Sequence, residues 1–148
     1  MNFCSDNTAG AHPTILAALA AANDGAAMPY GNDDLTRKVE TRIREIFERD
    51  CAVFLVGTGT AANALALACL TPPWGTVYCH PDSHVNRDEC GAPEFYTGGG
   101  KLVLVGGEDG KISAESLAAA INAGDLGVVH HAQPAAVSLT QASEAGTV

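Results

Sequence analysis

The chain has 148 residues, is 47% hydrophobic and carries 17 acidic against 8 basic side chains, for a formal net charge of -9. With no basic run, that balance excludes nucleic acid and anionic membrane as partners, while the length and apolar content are enough for one domain with a core. The opening "MNFCSDNTAG" lacks the basic start and apolar centre of a leader, and no apolar run approaches the ~20 residues of a membrane span. Five dispersed cysteines, Cys4, Cys51, Cys69, Cys79 and Cys90, without a CxxC pair, lead us to expect free thiols in a reducing, cytoplasmic setting.

"HPTILAALAAANDG" predicts a short helix, opened by Pro13 and stopped at Gly25. In "MPYGNDDLTRKVETRIREIFERD", Leu35, Val39, Ile43, Ile46 and Phe47 fall on one face at helical spacing, with arginines and glutamates opposite, an amphipathic helix. From there "AVFLV", "TVYCH", "KLVLV" and "AAVSLTQ" read as strands, alternating with the helical segments "AANALALACL", "DECGAPEFY" and "SAESLAAAINAG". Near-continuous apolar strands alternating with helices predict the α/β class, a mostly parallel sheet flanked by helices. There is no internal repeat and no interdomain linker, so residues 1–148 are taken as one segment. Because ligands of open α/β sheets bind at the carboxyl ends of strands, a sequence that stops at "AAVSLTQASEAGTV" is expected to be the first part of a longer protein.

Two stretches carry chemistry. If "AVFLV" is a strand and "AANALALACL" a helix, "GTGT" is the turn between them. Gly57 and Gly59 then permit tight or left-handed backbone, and the helix amides and the hydroxyls of Thr58 and Thr60 can cradle a phosphate. A capped helix start without ligand explains the same residues equally well. The turn matches neither GxGxxG nor GxxxxGK[ST], which disfavours dinucleotides and P-loop nucleotides. In "HPDSHVNRDECGAPEF", His84 falls near the end of the "TVYCH" strand. If "VNRDECGAPEF" is helical, Glu89 lies a turn and a half further on, near enough to share a polar site, with Gly91 beyond. An imidazole there can stack on a flat ring or move a proton, tuned by the carboxylate; an exposed polar loop is the alternative. Cys79, His80, Asp82, His84 and Cys90 lie close together but fit no tight zinc spacing, so no metal is expected.

In order, "SDNTAG", "YGNDD", "GTGTAANALAL", "HVNRDECGAPEF" and "VSLTQASEAGTV" resemble the low-specificity L-threonine aldolases, pyridoxal-phosphate enzymes of the aspartate-aminotransferase-like fold. The likeness extends over nearly the whole chain and implies the N-terminal portion of the family's cofactor-binding large domain. By the same resemblance, Thr58, Gly59 and Thr60 match the phosphate-binding turn, His84 the histidine that stacks on the cofactor ring, and Glu89 an acidic residue beside it. Ser5 matches a serine near the substrate carboxylate, and Tyr30 a loop tyrosine of sites built by two subunits. The implied activity is cleavage of threonine or related β-hydroxy amino acids to glycine and an aldehyde. His84 is the candidate base, with Glu89 able to hold an activating water, in a homodimer or homotetramer. The family's cofactor-holding lysine, ring-nitrogen aspartate and substrate-binding arginines have no counterpart here, since Lys38, Lys101 and Lys111 stand in other contexts. The isolated chain is therefore expected to be inactive. The same phosphate turn also serves β-eliminating lyases and aminotransferases, and a truncated non-catalytic module remains the third alternative.

Overall fold

The computed structural model describes residues 8–148, which fall into two compact units divided between Phe54 and Leu55.

The first unit holds two helices. Helix α1 (Pro13–Ala22) starts with proline at its first turn, where the missing N–H costs nothing, and the His12 ring accepts the Thr14 amide at 3.2 Å. Helix α2 (Asp34–Phe47) is capped by Asp33, whose carboxylate takes the Thr36 amide at 2.8 Å and hydroxyl at 2.7 Å. It ends where Glu48 turns left-handed. The amphipathic pattern is present, but neither helix contains a buried residue: Leu35, Ile46 and Phe47 remain exposed.

The second unit is a three-stranded parallel sheet in the order β2-β1-β3, formed by β1 (Gly75–Cys79), β2 (Lys101–Leu104) and β3 (Gln133–Val137). Parallel neighbours need crossovers, and each carries helix. Helices α4 (His84–Arg87) and α5 (Ala92–Tyr96) join β1 to β2, and α6 (Ala114–Asn122) joins β2 to β3. Ahead of the sheet comes α3 (Gly59–Leu70). The central strand is buried at every position, as its unbroken β-prone sequence requires. The register slips between Thr76 and Val77, beside Pro134 of β3, a residue that has no N–H to give a ladder. Leu67 of α3, Val77 and Cys79 of β1 and Val85 of α4 form the core, with Leu102 and Ala136 packed against it.

The expected α/β rhythm is therefore observed, with two corrections. "AVFLV" forms no strand: among the described residues, 52–56 have no ladder partner, and Phe54 and Leu55 are 85% and 71% exposed. A strand exists only through a ladder, and among the described residues this segment has none. "VNRDECGAPEF" is not one helix, because Cys90 (φ 52°) and Gly91 (φ 73°) turn left-handed and separate α4 from α5.

Candidate active site

The start of α3 is built by Thr58, whose extended backbone (φ -148°, ψ 159°) lets its hydroxyl accept the Ala61 amide at 3.0 Å while its carbonyl accepts the Ala62 amide at 3.1 Å. The capped-helix reading is thus realised with Thr58 as the cap. It is compatible with anion binding, because the Thr58 O–H can still donate and the Gly59 and Thr60 amides have no partner among the described residues. Neither Gly57 nor Gly59 adopts positive φ, so the left-handed backbone expected of them is not what the turn uses. A Cβ built on either would meet nothing within 4 Å. The chain's own packing makes no use of that open face, which suits the close approach of an anionic group to the helix start.

The turn after β1 is fixed by its own polar groups. His80 is nearly buried; its Nδ1 accepts the Asp82 amide at 3.1 Å, which puts the ring proton on Nε2, 3.1 Å from the Gly107 carbonyl. The Ser83 hydroxyl donates to the His80 carbonyl at 2.7 Å, and the Asn86 amide to the Pro81 carbonyl at 2.7 Å. With both ring nitrogens engaged, His80 is a structural histidine, and Cys79 lies in the core. Among the described residues no group of three His, Cys, Asp or Glu side chains is arranged to hold a metal ion.

This turn delivers His84 to the carboxyl end of β1 with its side chain 45% exposed, and α4 ends at Asp88 (φ -126°, ψ 19°), so that Glu89, the next residue, lies against the His84 ring. Glu89 has no side-chain exposure, and its Oε1 lies 2.9 Å from His84 Nδ1. The same oxygen accepts Asn63 Nδ2 of α3 at 2.6 Å, while Oε2 is buried without a partner. The hydrogen bond donated to Glu89, opposed by partial desolvation and reinforced by the charges of Glu89, Glu144 and Asp88, raises His84 above its ordinary value of 6.5.

His84, Glu89 and the α3 turn that carries Thr58, Gly59 and Thr60 are therefore linked, through Asn63. Tyr30 belongs to the first unit, where it is almost fully exposed and left-handed (φ 61°); Ser5 lies outside the described residues. Sequence reasoning missed Asn63. Its signal was a lone polar residue in the alanine-rich run "AANALALA", one helical turn beyond Gly59.

The fold and site together define a parallel α/β domain that presents an open helix start and a carboxylate-held imidazole on two connected elements. More narrowly, the chain belongs to the beta-eliminating lyase family, whose profile matches residues 2–148. It is 45% identical over 147 residues to a low specificity L-threonine aldolase of Pseudomonas aeruginosa and 42% identical to another from a Pseudomonas species, covering 99% of this chain and 42% of each relative. A solved threonine aldolase from Leishmania major superposes with a TM-score of 0.84 at 29% identity, over 93% of this chain and 39% of that one. The chain thus spans less than half the length of the relatives it matches. No helix among the described residues is long and apolar enough to cross a membrane.

Proposed function

We propose that this chain supplies the phosphate turn and the imidazole–carboxylate pair of a pyridoxal-phosphate-dependent lyase that cleaves L-threonine or related β-hydroxy amino acids to glycine and an aldehyde. The observation that carries the reading is the bond of His84 to buried Glu89, itself tied to the helix that opens at Thr58. When bound, pyridoxal phosphate supplies an electron sink for the pair left on Cα as the Cα–Cβ bond breaks. The Gly59 and Thr60 amides and the Thr58 and Thr60 hydroxyls would hold its phosphate, aided by the α3 dipole. The half-exposed His84 ring would lie against the cofactor ring. With Nδ1–H given to Glu89, the lone pair on Nε2 is the one available to take the substrate hydroxyl proton. Ser5 and Tyr30 are proposed on the substrate side, Tyr30 within a homodimer or homotetramer. The dispersed free thiols Cys51, Cys69, Cys79 and Cys90 support a cytoplasmic setting.

No lysine of this chain suits the cofactor. Lys101 pairs with Thr76 at the amino end of the sheet, opposite His84, Lys111 Nζ bonds the Gln141 carbonyl, and Lys38 sits on α2. The lysine is therefore proposed to come from sequence beyond these residues. The test is a chimera in which this chain replaces the matching part of the Pseudomonas aeruginosa relative. The chimera should release acetaldehyde from L-threonine while the 148-residue chain with added pyridoxal phosphate does not. His84→Asn in the chimera should lower kcat by about 10²-fold or more. A folded, cofactor-loaded chimera that leaves threonine intact, or an unimpaired His84→Asn variant, refutes the proposal.

A further inference from the structure

We infer that Asn63 is a positioning residue: its amide clamps Glu89 Oε1 against His84 Nδ1 and so fixes the imidazole tautomer that leaves the Nε2 lone pair open. Its weight in catalysis rests on the function proposed above; the clamp itself does not.

Glu89 is sealed from solvent at its side chain, so its orientation is set by protein donors alone. Two donors, Asn63 Nδ2 at 2.6 Å and His84 Nδ1 at 2.9 Å, converge on Oε1, and none reaches Oε2. The asymmetry points to function. A carboxylate held only by His84 could rotate and offer either oxygen, and the ring would follow it. Asn63 removes that freedom, and because an amide does not titrate, its bond persists whether His84 is charged or neutral. Buried histidine partners act in this way elsewhere: the group on one ring nitrogen decides what the other can do.

Asn63 also draws off part of the carboxylate's charge. The charged groups that face the His84 ring are Glu89 and Asp88 beyond α4 and Glu144 near the C-terminus, all acidic. Helix α3 contributes no charge of its own, and Arg87 of α4 lies 3.6 Å from Asp82. Among the described residues no cation moderates these acids, and the Asn63 amide is the neutral donor that keeps the pull of Glu89 on the imidazolium in check. Asn63 sits in α3, the helix that opens at Thr58, so the clamp registers the imidazole against the anion-facing turn through one rigid element.

The test needs neither cofactor nor turnover. In the isotopically labelled 148-residue chain, long-range imidazole ¹⁵N spectra across pH report the tautomer and midpoint of His84. Wild type should show predominantly Nδ1–H, with an Asn63 side-chain amide proton shifted downfield and moving at the same midpoint as His84. Asn63→Leu should mix the tautomers and raise the midpoint by about half to one unit, because the carboxylate loses its charge-sharing donor. In a Glu89→Gln background the same substitution should leave His84 unmoved. The clamp is overturned by an Asn63→Leu spectrum identical to wild type, by a shift that persists without Glu89, or by an Asn63 amide that is flat across the titration. The last readout uses the wild-type chain, so it decides the matter even if the variant does not fold. Failure of the threonine assay with these signatures intact would remove the aldolase reading and leave the clamp standing.

Discussion

At Gly59 and His84 the helix start and the imidazole make separable demands. Gly59 has open space where a Cβ would stand and no positive φ, so the fold tolerates a side chain there. An aspartate at this first position of α3 would even favour the helix dipole, yet it would place a carboxylate where a phosphate is proposed to sit. Gly59→Asp should therefore keep the melting temperature of the chain while abolishing the preference for pyridoxal phosphate over pyridoxal in equilibrium dialysis. Equal retention of the two ligands by wild type and variant would remove the anion cup. His84 gives a second handle, because its folded-state value lies above the unfolded 6.5, chiefly through Glu89. A raised histidine lends stability that is fully present below the unfolded value and lost as pH rises through the folded one. The ring is 45% exposed, so solvent screens much of that contribution. Glu89→Gln should return the His84 midpoint toward 6.5 and flatten the fall in stability above that pH, read by NMR titration and by urea unfolding at several pH values. An unmoved midpoint would mean that Glu89 does not govern His84.

Gly75 and Gly100 show at the level of elements what patterning conveys and what it hides. The run "TVYCH" was legible as β1 because a strand buried on both faces has no polar alternation to confuse the reading, and "KLVLV" was legible as β2 from its β-branched and apolar residues although none of β2 is fully buried. Helices α1, α2 and α3 were equally legible from Pro13, the α2 stripe and the capped turn. "AVFLV" misled because apolar content signals burial, whereas strand identity depends on a partner that the described residues do not supply. The Glu89 contact was anticipated through a continuous helix, but α4 ends at Asp88 and Glu89 reaches His84 from just beyond that end. Asn63 went unread because a single polar side chain on an alanine-rich helix looks solvated until its partner, 26 residues away, is placed. The glycines that seat the sheet were likewise silent. A Cβ on Gly75 would stand 2.9 Å from Thr71 Cγ2 and 3.0 Å from Ala135 Cβ, and one on Gly100 would stand 2.8 Å from Thr97 Oγ1. Gly75→Ala should cost about 1–3 kcal/mol in urea unfolding by overpacking the junction of α3, β1 and β3. A neutral result would show that this junction has room to relax.

Across the whole molecule, two opposing quantities decide how the chain behaves in solution. Leu55, Trp74, Phe95, Tyr96 and Val129 are each more than half exposed, and no residue of α1 or α2 is buried. Exposed apolar surface on this scale favours association. Against it stands a net charge of -9, which makes each copy repel the next at pH 7. Sedimentation velocity should therefore show mass growing as pH falls from 7 toward the pI of about 4.7, where the repulsion vanishes. Acid also protonates His84, but it spares the Asp33 cap of α2, whose carboxyl is held below its ordinary 3.8 by Thr36. The cap's contribution is lost only as pH falls through that lowered value, below the range of the experiment. A second arm isolates charge from titration: at pH 7 in about 1 M salt the screening length contracts to about 3 Å, and the same growth in mass should appear with the far-UV spectrum unchanged. A chain that stays monomeric both near its pI and in high salt would show that its exposed side chains do not drive association, and the charge would then have no assembly to oppose.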